Sequence, residues 1–173
     1  AFAAGAEAEL TGTIAVCAGS SGPGNLHLIN GLYDCYRNRV PVLAIAAHIP
    51  SDEIGSGYFQ ATHPEQIFQE CSDFCEVITT EKQMPRTLTM AIQTAIGKST
   101  VSVVILPGDI ASLDESTHEI PERVAYPAKP IVHPDEADLG LLAQYLNEGK
   151  KVTLLCGAGC KGAHAELMEL CEK

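Results

Sequence analysis

Short apolar runs alternate along this chain with stretches whose apolar positions recur every three or four residues. The runs at 13–18 (TIAVCA), 41–47 (PVLAIAA), 75–79 (CEVIT) and 101–106 (VSVVIL) are strand-like in length and in β-branched content. Between them, Leu26, Leu28, Ile29, Leu32 and Tyr33 fit one face of a helix over about 24–37. Further helices are predicted over 1–10, near 64–71 and near 84–98, with Pro85 in a first turn where a missing amide does little harm. Residues 48–63 read as a long loop. Strands that are apolar throughout, separated by helices, predict a parallel sheet covered on both faces, a doubly wound α/β fold.

The pattern changes after Asp109. Residues 112–134 carry Pro121, Pro127, Pro130 and Pro134 among acidic and polar positions, as an extended linker would. A second unit then begins with a helix over 135–148, capped by Asp135 or aided by Glu136, followed by a strand over 152–156, a glycine turn and a helix over 163–172. One strand with two helices cannot enclose a core of useful size. The expected organisation is an incomplete first α/β domain (1–111), a linker (112–134) and the start of a Rossmann-like α/β domain (135–173). The opening helix has no cap and no βα element before it, so the chain is expected to be an internal piece of a longer enzyme.

Composition narrows the class. At 46% apolar and 19% charged residues the chain suits a well-buried core. A net charge of −11 argues against a nucleic-acid backbone as partner. No apolar run approaches the roughly 20 residues that span a bilayer, and AFAAGAEAEL lacks the basic start of a signal peptide. The seven cysteines are an odd number scattered through apolar segments, as reduced cytoplasmic thiols used as small hydrophobes would be. Cys71 and Cys75, and Cys156 and Cys160, are each spaced C-x3-C, but neither pair has two further ligands at a zinc spacing. No metal ligands are assigned within this chain.

Two glycine-rich turns carry candidate chemistry. Gly19-Ser20-Ser21-Gly22-Pro23-Gly24 joins a strand to a helix, where glycines allow close backbone approach and the helix start offers amides. Spacing alone fits a plain βα turn as well as a binding turn. Gly157-Ala158-Gly159-Cys160-Lys161-Gly162 is G-x-G-x-x-G between an expected strand and helix, the context of a dinucleotide fingerprint, though its confirming acidic residue about 20 positions on would fall past Lys173. A structural glycine turn is the other reading. Phe59 and Gln60 lie in the long loop, where functional residues collect, although on its own a loop Phe more often anchors the loop on the core. His27 on a helix face could equally hydrogen-bond a neighbour. His48 and His63 read as loop or capping residues, Asn25 and Asn30 as turn and helix packing, and Arg37 and Arg39 as complements to a helix C-terminus.

Four segments in order, GSSGPGNLHLINGLYDC, PVLAIAA, SGYFQATHP and VSVVILPGD, resemble the pyrimidine-binding domain of thiamine-diphosphate enzymes of the pyruvate oxidase and acetolactate synthase group. The resemblance runs through essentially the whole chain and is strongest to quinone-dependent pyruvate dehydrogenases, also called pyruvate oxidases. It implies that Pro23, Gly24 and His27 contact the pyrimidine side of thiamine diphosphate, and that Phe59 and Gln60 match a Phe-Gln pair at the active centre. It implies FAD for the second domain, with Gly157, Gly159 and Gly162 at the dinucleotide, and magnesium held by residues outside this chain. The family's activating glutamate would fall upstream of Ala1, and neither Glu7 nor Glu9 occupies its place. The implied reaction is oxidative decarboxylation of pyruvate or a related 2-keto acid, with electrons passing through FAD to quinone or oxygen. Homo-oligomerisation as a tetramer and a peripheral membrane contact of the parent are implied with it, while the isolated chain is expected to be inactive. The alternatives are an acetolactate synthase-type carboligase and a non-catalytic α/β module that binds a nucleotide or a partner chain.

Overall fold

The computed structural model describes residues 1–114 and 131–173, in two compact units, Ala1–Pro130 and Ile131–Lys173. Most of the expected linker, residues 115–130, lies outside the described residues.

In the first unit the strands are β1 (Ala15–Gly19), β2 (Val42–His48), β3 (Phe74–Val77) and β4 (Val101–Pro107). All pairings are parallel and the order across the sheet is β1-β2-β4-β3, with Ala15 opposite Val42, Val42 opposite Val101 and Phe74 opposite Ser102. The helices are α1 (Phe2–Thr11), α2 (Pro23–Arg37), α3 (Pro64–Ile67), α4 (Met84–Lys98) and α5 (Gly108–Ala111). The step from β1 to β2 and the step from β3 to β4 run in opposite directions along the sheet. Right-handed crossovers therefore send α2 and α4 to opposite faces.

The side chains obey that geometry. Val42, Ala44 and Ala46 of β2 and Val101, Val103 and Ile105 of β4 share a core with Leu28, Leu32 and Cys35 of α2 and Ala4 and Ala8 of α1. Leu43 and Val104 point the other way, onto Ala91, Leu88 and Ile92 of α4. The two central strands are buried on both faces, which is why their sequences read as unbroken apolar runs. Edge strand β1 alternates instead, leaving Val16 55% exposed.

The helix expected over 64–71 is broken. It stops at Ile67, and Gln69–Cys71 form a tighter 3-10 turn. Phe68 sits between them with no exposed surface, and its carbonyl accepts from the Ser72 hydroxyl (2.8 Å) and the Cys71 amide (3.2 Å). Those bonds compete with continued helix.

Burial also pushes the thiols of Cys71 and Cys75 up, to about 11 and about 12. Ionisation alone should then slow their alkylation by roughly a hundredfold or more at about pH 8. Brief treatment with iodoacetamide is expected to label exposed Cys171 and spare both until the unit is unfolded. Peptide mass spectrometry reads this directly, and early labelling of Cys75 would contradict it.

In the second unit α6 (Glu136–Glu148) begins at Asp135, whose Oδ1 accepts from the Asp138 amide at 2.9 Å, as its sequence suggests. After α6, the strand expected over 152–156 is absent. The segment has no regular structure and pairs with no strand among the described residues, and Leu155 is fully exposed. A strand exists only through its ladder, and this unit supplies no second one. A 3-10 turn (Ala158–Cys160) and α7 (His164–Glu172) complete it.

Candidate functional site

In a parallel sheet, ligands bind beyond the carboxyl ends of the strands. Here that edge carries the turn after β1, the loop 49–63 after β2, and α5 after β4. Pro23 takes the first helical position of α2, and no side chain caps the helix. The Asn25 amide already bonds the Ser20 carbonyl at 2.9 Å, so not every amide of the first turn is free for a ligand.

Gly22 has φ 68° and ψ −113°, a conformation that L side chains avoid. A Cβ there would lie 2.8 Å from the Gln60 carbonyl oxygen, and one on Gly24 would run into Ser20 Oγ. The glycines thus make room for protein. They let the loop after β2 sit directly on the turn after β1, where the Ser21 hydroxyl donates to the Gln60 carbonyl at 3.3 Å. Gln60 itself is left-handed, φ 61°, an uncommon state for a residue with a side chain.

Gln60 is thereby brought against the turn that leads into Pro23 and Gly24. Pro23 and His27 are one helical turn apart and exposed, and His27 has no hydrogen-bond partner among the described residues. Phe59 is 81% exposed. It is not part of either core cluster of the first unit. The second glycine turn differs. Cβ atoms on Gly157 or Gly159 would meet nothing within 4 Å, Gly162 is left-handed (φ 89°), and no strand precedes them.

Two ties hold this end together that sequence reading missed or underrated. Asn25 is 1% exposed, and its Nδ2 donates to the Ala47 carbonyl at 2.8 Å, fastening α2 to the end of β2. Its Oδ1 is buried without a partner. Asp109 in α5 accepts from the Ser51 amide (2.9 Å) and from the Ser51 hydroxyl, clasping the start of the long loop to the exit of β4. Those hydrogen bonds hold the Asp109 carboxyl below its ordinary value. A depressed carboxylate contributes stability that is present above its unfolded value and lost as pH falls through the folded one. The clasp should therefore be intact at neutral pH and open only below the usual carboxylate range. Asp109→Asn should loosen it at every pH, read as faster amide exchange across residues 51–62. Unchanged exchange would show that the clasp holds nothing.

His48, at the end of β2, is buried, and burial pushes its imidazole down; Glu65 opposes that shift and His63 adds to it. His63 precedes α3 without capping it through its side chain. No group of three or more His, Cys, Asp or Glu side chains placed to hold a metal ion occurs among the described residues. Nor is any described helix long and apolar enough to cross a membrane.

Residues 1–70 match the family described as thiamine pyrophosphate enzyme, N-terminal TPP binding domain. Across 99% of its length the chain is 59% identical to an uncharacterised 42.6 kDa protein of Pseudomonas amyloderamosa, covering 43% of that protein. It is 38% identical to the putative thiamine pyrophosphate-containing protein YdaP of Bacillus subtilis and 31% identical to the pyruvate oxidase of Lactiplantibacillus plantarum, covering 30% and 28% of them. Acetolactate synthases are similar at lower or equal identity, 31% for that of Arthrospira platensis. The chain spans less than half the length of each of these relatives.

Proposed function

We propose, from a first unit that has the fold of the N-terminal domain of thiamine pyrophosphate enzymes, that this unit forms the pyrimidine-side wall of a thiamine-diphosphate site. The whole protein would decarboxylate pyruvate or a related 2-keto acid and pass its electrons through FAD to quinone or oxygen. One observation carries the reading. The long loop docks through Gln60 on the Ser21-Gly22 turn, so an exposed aromatic and amide stand beside the exposed start of α2.

The residues present fit one half of the cofactor. The apolar edge of Pro23, the exposed ring of Phe59 and the polar imidazole of His27 suit a flat aminopyrimidine, and no described cluster suits the diphosphate and its metal. When bound, thiamine diphosphate supplies the electron sink for decarboxylation. The chain's own residues do the rest. Phe59 walls the substrate pocket and excludes water, Gln60 offers its amide to the substrate carboxylate, and His27 holds a polar contact at the rim. Gly157, Gly159 and Gly162 would lie at the FAD of the complete second domain. The chain's similarity to both a pyruvate oxidase and acetolactate synthases keeps a carboligase as the second reading.

Anaerobic mixing of the full-length protein with thiamine diphosphate, magnesium and pyruvate tests the first. Bleaching of bound flavin at a catalytic rate supports an oxidase, whereas carboligation with unbleached flavin supports the second reading. In the same protein, Phe59→Ala should lower turnover or shift keto-acid preference by about tenfold while leaving the melting temperature within a degree or two, because an exposed side chain contributes little to the core. Unchanged kinetics with a lower melting temperature would return Phe59 to a structural role.

A further inference from the structure

At the amino-terminal edge of the sheet, opposite the glycine turn, lies a hollow of about 310 Å³ lined by Tyr36, Arg37, Arg39, Asp73, Lys98, Ser99 and Thr100. It is built where three connections enter the sheet. Arg37 and Arg39 come from the corner between α2 and β2, Lys98 and Ser99 from the corner between α4 and β4, and Asp73 from the residue before β3.

Its charge is out of keeping with the rest of the unit. Among the described residues of the first unit there are five Lys and Arg side chains against twelve Asp and Glu, and three of the five line this hollow. The single acid in the lining is already engaged. Asp73 accepts from the Tyr36 hydroxyl at 3.1 Å and lies 3.8 Å from Lys98 Nζ. Arg37 and Arg39 have no ion pair or side-chain hydrogen bond among the described residues. Completing a helix dipole would require one cation in the last turn of α2, which Arg37 supplies. It does not account for Arg39 and Lys98 facing the same space.

A buried polar group lies beside the cations. Thr100, part of the lining, is 4% exposed and its hydroxyl has no partner. A buried hydroxyl left unpaired is costly relative to a bonded one. In addition, Arg39 (φ 56°) and Ser99 (φ 51°) both sit in the left-handed region, where glycine would cost less.

We propose that this hollow is a binding site for a tetrahedral oxyanion, inorganic phosphate or the phosphate group of a monoester, remote from the thiamine-diphosphate face. Two guanidinium forks with free donors and an ammonium approach from different corners, which suits an anion with several equivalent oxygens better than a single carboxylate. Because the site lies at the other edge of the sheet, the proposal does not depend on the function assigned to the glycine turn.

The test is calorimetric titration of the 173-residue chain with inorganic phosphate in low-salt buffer, with chloride, malonate and glycerol phosphate as comparison ligands. Saturable phosphate binding, at least about tenfold tighter than malonate or chloride, is expected, with amide shifts at Arg39, Ser99 and Thr100 in two-dimensional NMR. Arg37→Ala/Arg39→Ala should lower the affinity by about tenfold or more, and both side chains are exposed, so circular dichroism should be unchanged. Glycerol phosphate binding as tightly as phosphate would identify a phosphomonoester as the ligand class, and weaker binding would identify the free ion. Phosphate binding no tighter than chloride, or retained in full by the double variant, overturns the proposal.

Discussion

Phe68→Ala is expected to destabilise the first unit by about 3–5 kcal/mol, the range for truncating a fully buried aromatic. The ring has no exposed surface and shares its core with Leu32, Val42, Val103 and Cys71. It also closes the broken helix beneath β3, so its loss opens a cavity flanked on one side by a short turn and not by a long, rigid element. Domains of this size are stable by only about 5–15 kcal/mol, and a loss of that size would leave a measurable unfolded fraction without denaturant. Urea unfolding should show a lower midpoint with an unchanged slope. A loss below about 1 kcal/mol would mean that the segment 64–72 collapses into the space.

Gly22→Ala should produce the second large effect, through the site as well as through stability. Its backbone stands at φ 68°, where a side chain costs about 1–3 kcal/mol, and the new methyl would press against the Gln60 carbonyl and Cβ at 2.8 and 2.9 Å. The loop must move off the turn, taking Phe59 and Gln60 with it. For the 2-keto acid activity proposed above, turnover of the full-length protein should fall by at least about tenfold, since small misplacements of positioning groups are costly. Gly12→Ala is the control. It has a similar φ of 71° but nothing within 4 Å of the added methyl, so it should lose stability and keep turnover. Equal turnover in both variants would separate the docked turn from the chemistry.

The chain's periodicity made most of the first unit legible. β2 and β4 read as strands because both faces are covered, and α2 and α4 because each buries a single stripe. The break at Phe68 was hidden, because an apolar position at helical spacing fits a continuous helix as well as a kinked one. Residues 152–156 misled for a related reason: composition reports what a segment prefers, while a strand also needs a neighbour. At the candidate site the glycine turn, His27, Phe59 and Gln60 could be singled out from local sequence. The pairing that places them could not. Ser21 meets Gln60 across 39 positions, and Ser51 meets Asp109 across 58. Neither separation leaves a local signature. Asn25 reads as turn and helix packing, in keeping with its burial, but its bond to the Ala47 carbonyl 22 positions away leaves no local signature either.

The strand order also sets a timetable. Among the described residues β3 has one neighbour, β4, which follows it in the chain by a full helix. During synthesis β1, α2 and β2 can assemble as they emerge, but β3 leaves the ribosome before its partner β4 exists. Its last residue precedes the last residue of β4 by 30 positions (107 − 77), a wait of roughly 2–6 s at ordinary elongation rates. Through that interval the vacant side of β2 is exposed, with Leu43 on one face and Ala44 on the other. Of the described strands only β1 and β2 are then paired, and this is when a chaperone has most to cover.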